Sequence, residues 1–492
     1  MRRTVFRDRI GGKRGVELTN NPIKFGTDGW RGVIARDFTI ANVQACAKGV
    51  ADYLKGAGLT ERGLIIGYDT RFASEDFAAA AAEVAAANGI KVYLCPKAAP
   101  TPVVSYGVLA RKTGGAIIIT ASHNPHMWNG FKFKTEQGTS ASTEITAAIE
   151  KGVARALAGG KIECLPLEKA LEQAKIEYFD PVPIYDRQIG RLVDLERLRR
   201  AKLKVIVDPM YGAGMGYFNR LLRGGAIQLT EINGQRNPLF PGIRPEPIAA
   251  NLAKLSAMVK EQPADVGLAN DGDADRIGII DEKGEFLTQL QVFALLCLYL
   301  LEVRGERGAL VRTLTSTTMV DRLGEMYKLP VRVTPVGFKY VAPVMMAENA
   351  LIGGEESGGY GFRGHVPERD GILAGLYFLD FMLQTGKTPS QLLDYLYSKV
   401  GPHYYERRDL SFAPGQRPAI VKRLSDNLPK SIGGVRVVKV DTTDGFHFTL
   451  ADNSWLLIRF SGTEPVLRIY AESDSLERVE RLLATGRKLA GV

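Results

Sequence analysis

No stretch of this chain is apolar for long enough to cross a bilayer. The longest unbroken run, Val292 to Leu301, is half of the ~20 residues that a spanning helix needs. It is expected to form a buried helix, and no membrane role is expected. Cysteine is scarce: Cys46, Cys95, Cys164 and Cys297 lie far apart and form no C-x-x-C pair. That excludes a disulfide framework and a thiolate zinc site, and all four are expected to be reduced core residues. Tracts of like charge are also missing. Lys plus Arg outnumber Asp plus Glu by 64 to 54, but the excess is scattered. Neither a basic stripe nor a nucleic-acid module occurs, so no nucleic-acid partner is expected. The excess serves solubility and suits a small anionic ligand held in a cleft. The start, Met1–Arg2–Arg3 and onward, is basic without an apolar segment. No secretory signal is read there, and a cytoplasmic location is expected.

What is present is an ordinary globular composition, 45% hydrophobic and 24% charged, which leaves little room for disorder. At 492 residues the chain is too long for one core, and several domains are expected. Three segments share one plan of strand, loop, helix, strand. The first starts at Leu64–Asp69 and ends at Val92–Leu94; the second starts at Leu203–Asp208 and ends at Ile227–Leu229; the third starts at Ala309–Arg312 and ends at Val331–Val333. This alternation predicts α/β layers with helices over a largely parallel sheet. Each copy is followed by another short apolar strand that runs into a polar loop. Those loops are Thr120–Ala121–Ser122–His123–Asn124–Pro125, Asn270–Asp271–Gly272–Asp273–Ala274–Asp275–Arg276 and Gly353–Gly354–Glu355–Glu356–Ser357–Gly358–Gly359. Strand ends are where open α/β sheets bind ligands. The last ninety or so residues differ. Val435–Val440, Phe446–Leu450 and Trp455–Arg459 alternate with period two, and a helix follows from Leu476 to Leu489. They predict an α+β domain with a fourth strand-end loop, Arg459–Phe460–Ser461–Gly462–Thr463–Glu464–Pro465.

Asp271, Asp273 and Asp275, spaced by Gly and Ala, suit a hard divalent cation with oxygen ligands. A calcium EF-hand is the nearest rival, since Glu282 stands in the twelfth place. It fails because Arg276 occupies the position that needs glycine and the flanks read as strands, not helices. Ser122, if phosphorylated, would offer the ion a further oxygen. Three carboxylates and a phosphate call for nearby cations. Arg276 adjoins the third aspartate, and Lys132 follows the serine loop; Lys134 is read as an ordinary surface residue. His123 is not paired with Ser122 as a base, because neighbours on an extended backbone point opposite ways and no G-x-S-x-G elbow occurs. It is read as a hydrogen-bond donor to a phosphoryl oxygen. Glu355 and Ser357, two residues apart among glycines, suit adjacent sugar hydroxyls. The arginine, hydroxyls and glycine amide of the fourth loop suit a phosphate that does not react.

Together with Phe25–Gly26–Thr27–Asp28–Gly29–Trp30–Arg31–Gly32, these loops resemble the α-D-phosphohexomutase family, in order and over nearly the whole chain. The resemblance implies three similar mixed-sheet α/β domains plus a C-terminal α+β domain around a central active-site cleft. The boundaries expected are 1–179, 180–283, 284–397 and 398–492. It implies Ser122 as the phosphoserine and a ligand of Mg²⁺ with Asp271, Asp273 and Asp275. Arg31 and Lys132 match positions that flank the reacting phosphate and assist proton transfer, and Arg276 matches an active-site arginine. His123, Lys339, Glu355 and Ser357 match sugar-phosphate contacts, and Arg459, Ser461, Gly462 and Thr463 the distal phosphate clamp. The activity implied is isomerisation of glucose 1-phosphate and glucose 6-phosphate, with glucose 1,6-bisphosphate as intermediate and activator. Gly337–Phe338–Lys339, Glu355–Glu356–Ser357, Gly359 and His365–Gly371 match the phosphoglucomutase branch. Phosphomannomutase, dual specificity, phosphoglucosamine mutase and a metal-dependent sugar phosphatase are the alternatives. The partners expected are sugar phosphates, and no oligomeric state is read.

Overall fold

The computed structural model describes residues 23–159, 161–461 and 466–492. The basic start of the chain and the tip of the fourth loop, Gly462 and Thr463 included, lie outside the described residues.

Four sheets follow one another along the chain. The first holds β1 (Trp30–Val33), β2 (Leu64–Tyr68), β3 (Val92–Leu94), β4 (Ala116–Ile119), β5 (Trp128–Lys134) and β6 (Ile176–Tyr178), in the order β1-β5-β4-β2-β3-β6. The second holds β7 (Lys204–Asp208), β8 (Gln228–Glu231), β9 (Val266–Asn270), β10 (Ile277–Ile280) and β11 (Phe286–Leu287), in the order β11-β10-β9-β7-β8. The third holds β12 (Leu310–Thr313), β13 (Val331–Thr334), β14 (Ile352–Gly354) and β15 (Tyr360–Phe362), in the order β13-β12-β14-β15. One pattern repeats inside them. β3-β2-β4-β5, β8-β7-β9-β10 and β13-β12-β14-β15 each pair parallel, parallel, then antiparallel. Each polar loop of interest joins the third strand of its set to the antiparallel fourth. The internal repeat read from the sequence is therefore a repeat of topology.

The central strands are buried on both faces. All four residues of β4 and all five of β9 are buried, as continuous β-branched and apolar runs require between helical layers. Helices begin where side chains can satisfy free amides. Thr39, Ser142 and Thr288 each accept from a first-turn N–H, and Asp370 accepts from Ile372 and Leu373. Inside the first unit, helices Ile40–Gly56 and Thr143–Leu157 meet at glycines. A Cβ on Gly49 would lie 2.7 Å from the Ile149 carbonyl, and one on Gly152 would lie 2.8 Å from the Gly49 Cα. The apolar run expected to be a buried helix is one: Gln289–Leu298 continues as a single π turn, Tyr299–Val303, in the middle of the core.

The fourth sheet is antiparallel, in the order β16-β21-β20-β19-β18-β17. It comprises β16 (Tyr404–Ser411), β17 (Ser431–Ile432), β18 (Val435–Asp441), β19 (Phe446–Leu450), β20 (Trp455–Phe460) and β21 (Val466–Ser473), backed by the helix Leu476–Ala490. The sequence reading did not pick out β16 or β21. β16 is largely charged, and it is held by pairing with β21 along its whole length. The cysteine reading also needs correction. Cys46, Cys95 and Cys297 are buried free thiols, but Cys164 is exposed, in the irregular stretch before the helix Leu167–Glu172. No helix of the described residues is long and apolar enough to cross a membrane.

Candidate active site

Ser122 follows β4 in the loop to β5 and is buried. Its φ is +51°, in the left-handed region, which a non-glycine residue seldom adopts. The extended backbone assumed for Ser122 and His123 is thus absent, and the Ser122 Oγ lies 3.4 Å from His123 Nδ1. Serine and histidine do face each other; the earlier exclusion of contact rested on the wrong backbone state. The hydroxyl also donates to Asp271 Oδ2 at 2.8 Å. That one bond joins the serine loop of the first sheet to the acidic loop of the second. The loops pack tightly, since a Cβ on Gly272 would run into the Ser122 carbonyl.

Asp271, Asp273 and Asp275 are buried, with ligand oxygens all within 4.8 Å of one another. Burial, then the charges of Asp273 and Asp275, push the Asp271 carboxyl well above the usual carboxylate range. Burial also raises Asp275, against the pull of Arg369. Burial would raise Asp273 too, but Lys132, as neighbour and hydrogen-bond donor, and Thr101 outweigh it and hold its carboxyl low. Packing three carboxylates together in the interior is part of what raises two of them. Moreover, Asp273 Oδ1 and Asp275 Oδ1 are buried without a hydrogen-bond partner, a costly condition unless something else binds there. Three converging carboxylates with orphaned oxygens fit a hard divalent cation.

The cations surround this triad. The Lys132 ammonium lies 2.8 Å from Asp273, 2.7 Å from Asp28 and 3.6 Å from Asp275. Burial alone would lower its pKa; those carboxylates raise it instead, so it stays charged. Arg276 Nε stands 4.0 Å from Asp271 and 3.8 Å from Asp275. Arg31, on β1, donates to Asn124 Oδ1 at 2.6 Å and so braces the serine loop. His123 is half-buried. Burial, then Arg276, Arg31, Arg71 and Lys132, hold its pKa well below the ordinary value, so its imidazole is neutral at neutral pH and can donate from one nitrogen.

Lys134 is not the surface residue expected. It is fully buried, with its ammonium 2.6 Å from Glu368 and 3.1 Å from Asp28. The reason is long-range: Glu368 and Asp28 come from segments remote in sequence, and burying a lysine requires such partners. Two further residues went unassigned. Asp28 accepts from Lys132, Lys134, Ser140 and Arg369. Burial would raise its carboxyl, but the three cations hold it well below the usual range. Arg369 reaches Asp28 at 2.7 Å, Asp275 at 2.8 Å and Glu355 at 3.4 Å. It therefore ties the acidic triad to the third loop. The sequence signal for both was their place beside the quoted motifs, Asp28 in the first and Arg369 in His365–Gly371.

In the third loop, Glu355 is buried and accepts from the Gly337 N–H at 3.1 Å, while Ser357 is half-buried two residues on. Lys339 sits at the start of the helix Phe338–Ala347, its ammonium over the Tyr340 ring at 5.2 Å, outside the ion network around Lys132. Arg459, on β20, has its Nε 3.0 Å from Asp444. Asp444 in turn accepts from the Val336 N–H at 3.1 Å, which sets Arg459 beside the Gly337–Lys339 turn. Ser461 is buried just beyond β20. The Glu355–Ser357 loop touches the fourth unit as well, since Glu356 accepts from Tyr405 at 3.1 Å and Arg407 at 3.0 Å.

Family models for phosphoglucomutase/phosphomannomutase match all four units: alpha/beta/alpha domain I over residues 22–158, domain II over 183–284, domain III over 289–400, and the C-terminal domain over 420–488. Among curated relatives, a phosphoglucomutase/phosphomannomutase of Thermococcus kodakarensis is 32% identical, across 94% of this chain and 98% of its own. A phosphoglucomutase of Komagataeibacter xylinus is 29% identical, across 93% of this chain and 88% of its own. A solved Thermus thermophilus structure, described as a phosphomannomutase, is 35% identical and superposes with a TM-score of 0.82 over 96% of this chain and 99% of that one.

Proposed function

This chain belongs to the phosphoglucomutase/phosphomannomutase family of mutases, and on that premise we propose that it interconverts glucose 1-phosphate and glucose 6-phosphate. Ser122 is the phosphoryl carrier in this reading. The observation that carries it is the 2.8 Å bond from Ser122 Oγ to Asp271, which seats a buried hydroxyl from one unit against the triad of another. In the forward half-reaction the bond between phosphorus and Ser122 Oγ breaks as one forms to the free sugar hydroxyl, whose proton ends on Ser122 Oγ, giving glucose 1,6-bisphosphate. The bisphosphate turns over in the cleft, and its other phosphoryl group returns to Ser122. In the dephosphorylated state Ser122 donates to Asp271 Oδ2, which orients the hydroxyl for the return transfer, and its proton passes to the departing sugar oxygen. Lys132, held protonated, and Arg276 supply fixed positive charge near the moving group. Neutral His123 donates a hydrogen bond to it. Mg²⁺, held by Asp271, Asp273 and Asp275, would add charge neutralisation at the transferring oxygens when bound. Glu355 and Ser357 hold sugar hydroxyls, with Lys339 at the rim. Arg459, Ser461, Gly462 and Thr463 grip the phosphate that does not react. Our division of the chain is 1–179, 180–287, 288–397 and 398–492; the expected boundary at 283 moves past β11, because that strand pairs with β10 in the second sheet.

The choice of glucose over mannose or glucosamine rests on the third loop's likeness to the phosphoglucomutase branch. The resemblance there is to phosphoglucomutases, since phosphoglucosamine mutases and many phosphomannomutases end that loop in histidine where this chain has Gly359. Here a Cβ on Gly359 would collide with the Arg369 side chain, so Arg369 fills the place that such a side chain needs. The test is a side-by-side assay of glucose, mannose and glucosamine 1-phosphates with catalytic bisphosphate, recording 6-phosphate formed and inorganic phosphate released. Fastest turnover of glucose 1-phosphate without matching phosphate release supports the reading. Preference for another sugar overturns the specificity, and stoichiometric phosphate release makes the protein a phosphatase.

A further inference from the structure

Arg71 is fully buried, side chain and all, and the chemistry above gives it no part. It follows β2, the strand beside β4, and its guanidinium is enclosed by the serine loop. One terminal nitrogen donates to the Ser122 carbonyl at 2.6 Å and the Asn124 carbonyl at 2.7 Å. The other donates to the carbonyls of Pro125 and Trp128, both at 3.0 Å. Its Nε donates to Asp69 at 3.1 Å. Four loop carbonyls on one planar fork is a use of arginine that lysine cannot copy.

Asp69 closes the circuit. It accepts from Thr120 Oγ1 at 2.6 Å, and Thr120 Oγ1 accepts from the Ser122 N–H at 2.9 Å. Ser122 is thus held on both sides: its N–H through Thr120 to Asp69, its carbonyl by Arg71. Between those two grips its backbone is in the left-handed region, at φ +51°. A non-glycine residue in that region is strained and persists only where its surroundings over-determine it. Every peptide bond here is trans, and a trans peptide sets its N–H opposite its C=O. With the Ser122 carbonyl turned onto Arg71, the His123 N–H faces away from the guanidinium.

We infer that Arg71, with Asp69 and Thr120, is the positioning device that keeps Ser122 in its left-handed conformation and aims its hydroxyl at the acidic triad. This rests on Ser122 as phosphoryl carrier. It adds that the carrier's geometry is imposed from behind the loop, by residues that never touch sugar or phosphate. Aim matters because misplacing a reacting atom by about 1 Å can cost 10²-fold in rate.

The test compares Arg71→Lys with wild type in three readouts: the single-turnover rate of Ser122 phosphorylation by glucose 1,6-bisphosphate, the split of kcat from KM, and thermal unfolding. A folded Arg71→Lys protein should keep its KM and lose about 10²-fold in kcat and in the phosphorylation rate together. Wild-type rates in that folded protein overturn the inference. A purely structural role would instead lower the folded fraction and leave kcat per folded molecule intact. Should Arg71→Lys fail to fold, Thr120→Val and Thr120→Ser decide. Valine removes the hydroxyl link and should lower kcat, and serine should restore most of it; equal rates in both overturn the inference. Failure of wild-type Ser122 to take up phosphoryl at all would instead refute the carrier role.

Discussion

Between the second and third units the core has no dividing line. One hydrophobic cluster runs from Val103 through the helices Gln289–Leu298 and Gly371–Thr385 to Val400. The fourth unit is different. It keeps its own core, from Ile420 to Ala490, and an outer patch around Trp455 and Tyr470 against Leu314. Among the described residues its polar ties to the third unit include Asp444 to Val336, Tyr405 and Arg407 to Glu356, and Glu472 to Thr318. The first unit joins the platform through buried ion pairs, among them Lys132–Asp273, Lys134–Glu368 and Arg369–Asp28. The serine, the acidic triad and the Glu355 loop are therefore set on one frame, while Arg459 hangs on a separate piece. A mutase must hold its reacting groups fixed yet admit a sugar phosphate in two orientations, and this division of labour suits both needs.

The contrast can be broken at several points. The largest effect is expected from the triad. Chelation should take activity to background, and Mg²⁺ should restore it. Mg²⁺ at about 100 times its Kd should also raise unfolding stability by about 2.7 kcal/mol, as read in a thermal shift titration. An unchanged melting curve would show that the three aspartates bind no ion. Next comes Lys134→Met. It takes from Glu368 its nearest cation and from Asp28 one of three, and breaking a buried pair on one side costs about 3–5 kcal/mol. Urea unfolding should show that loss, with part of it recovered in Lys134→Met combined with Glu368→Gln. Arg459→Ala should be smaller and of another kind. Losing a charged hydrogen bond of about 1.5–3 kcal/mol should raise KM for sugar phosphate some 10- to 100-fold, while Ser122 is still phosphorylated at its usual rate. The smallest change is expected from Glu356→Gln. Its ion pair to Arg407 is partly exposed and worth about 0.2–1 kcal/mol, so KM should move only a few-fold with stability unchanged. A large drop in kcat there would mean that the fourth unit helps to shape the reacting centre.

The sequence made the loops legible because each is a contiguous run at a strand end. Asp271, Asp273 and Asp275 are neighbours in sequence, and their shared chemistry needs no knowledge of the fold. The repeat was legible for the same reason, since strand, loop, helix, strand is a local pattern. What escaped is what folding alone brings together. Lys134 meets Glu368 across 234 positions, and Arg369 meets Asp28 across 341. No local pattern marks a lysine on a strand as buried when its counter-charges are that remote. The left-handed turn of Ser122 was hidden too, because serine carries no preference for it; Arg71 and Asp69 impose it from another strand. β16 was missed because its charged residues mask a strand that exists through its partner.

The account stands on Ser122 as the group that carries phosphate between sugars. The direct measurement is to incubate the metal-loaded protein with glucose 1,6-bisphosphate labelled in both phosphates, then locate the label by mass spectrometry of peptides and in the monophosphate products. The account predicts label on Ser122 alone, discharged onto either glucose 1-phosphate or glucose 6-phosphate when added, and no label in Ser122→Ala. Label on another residue, or sugar turnover by Ser122→Ala at the wild-type rate, would contradict it.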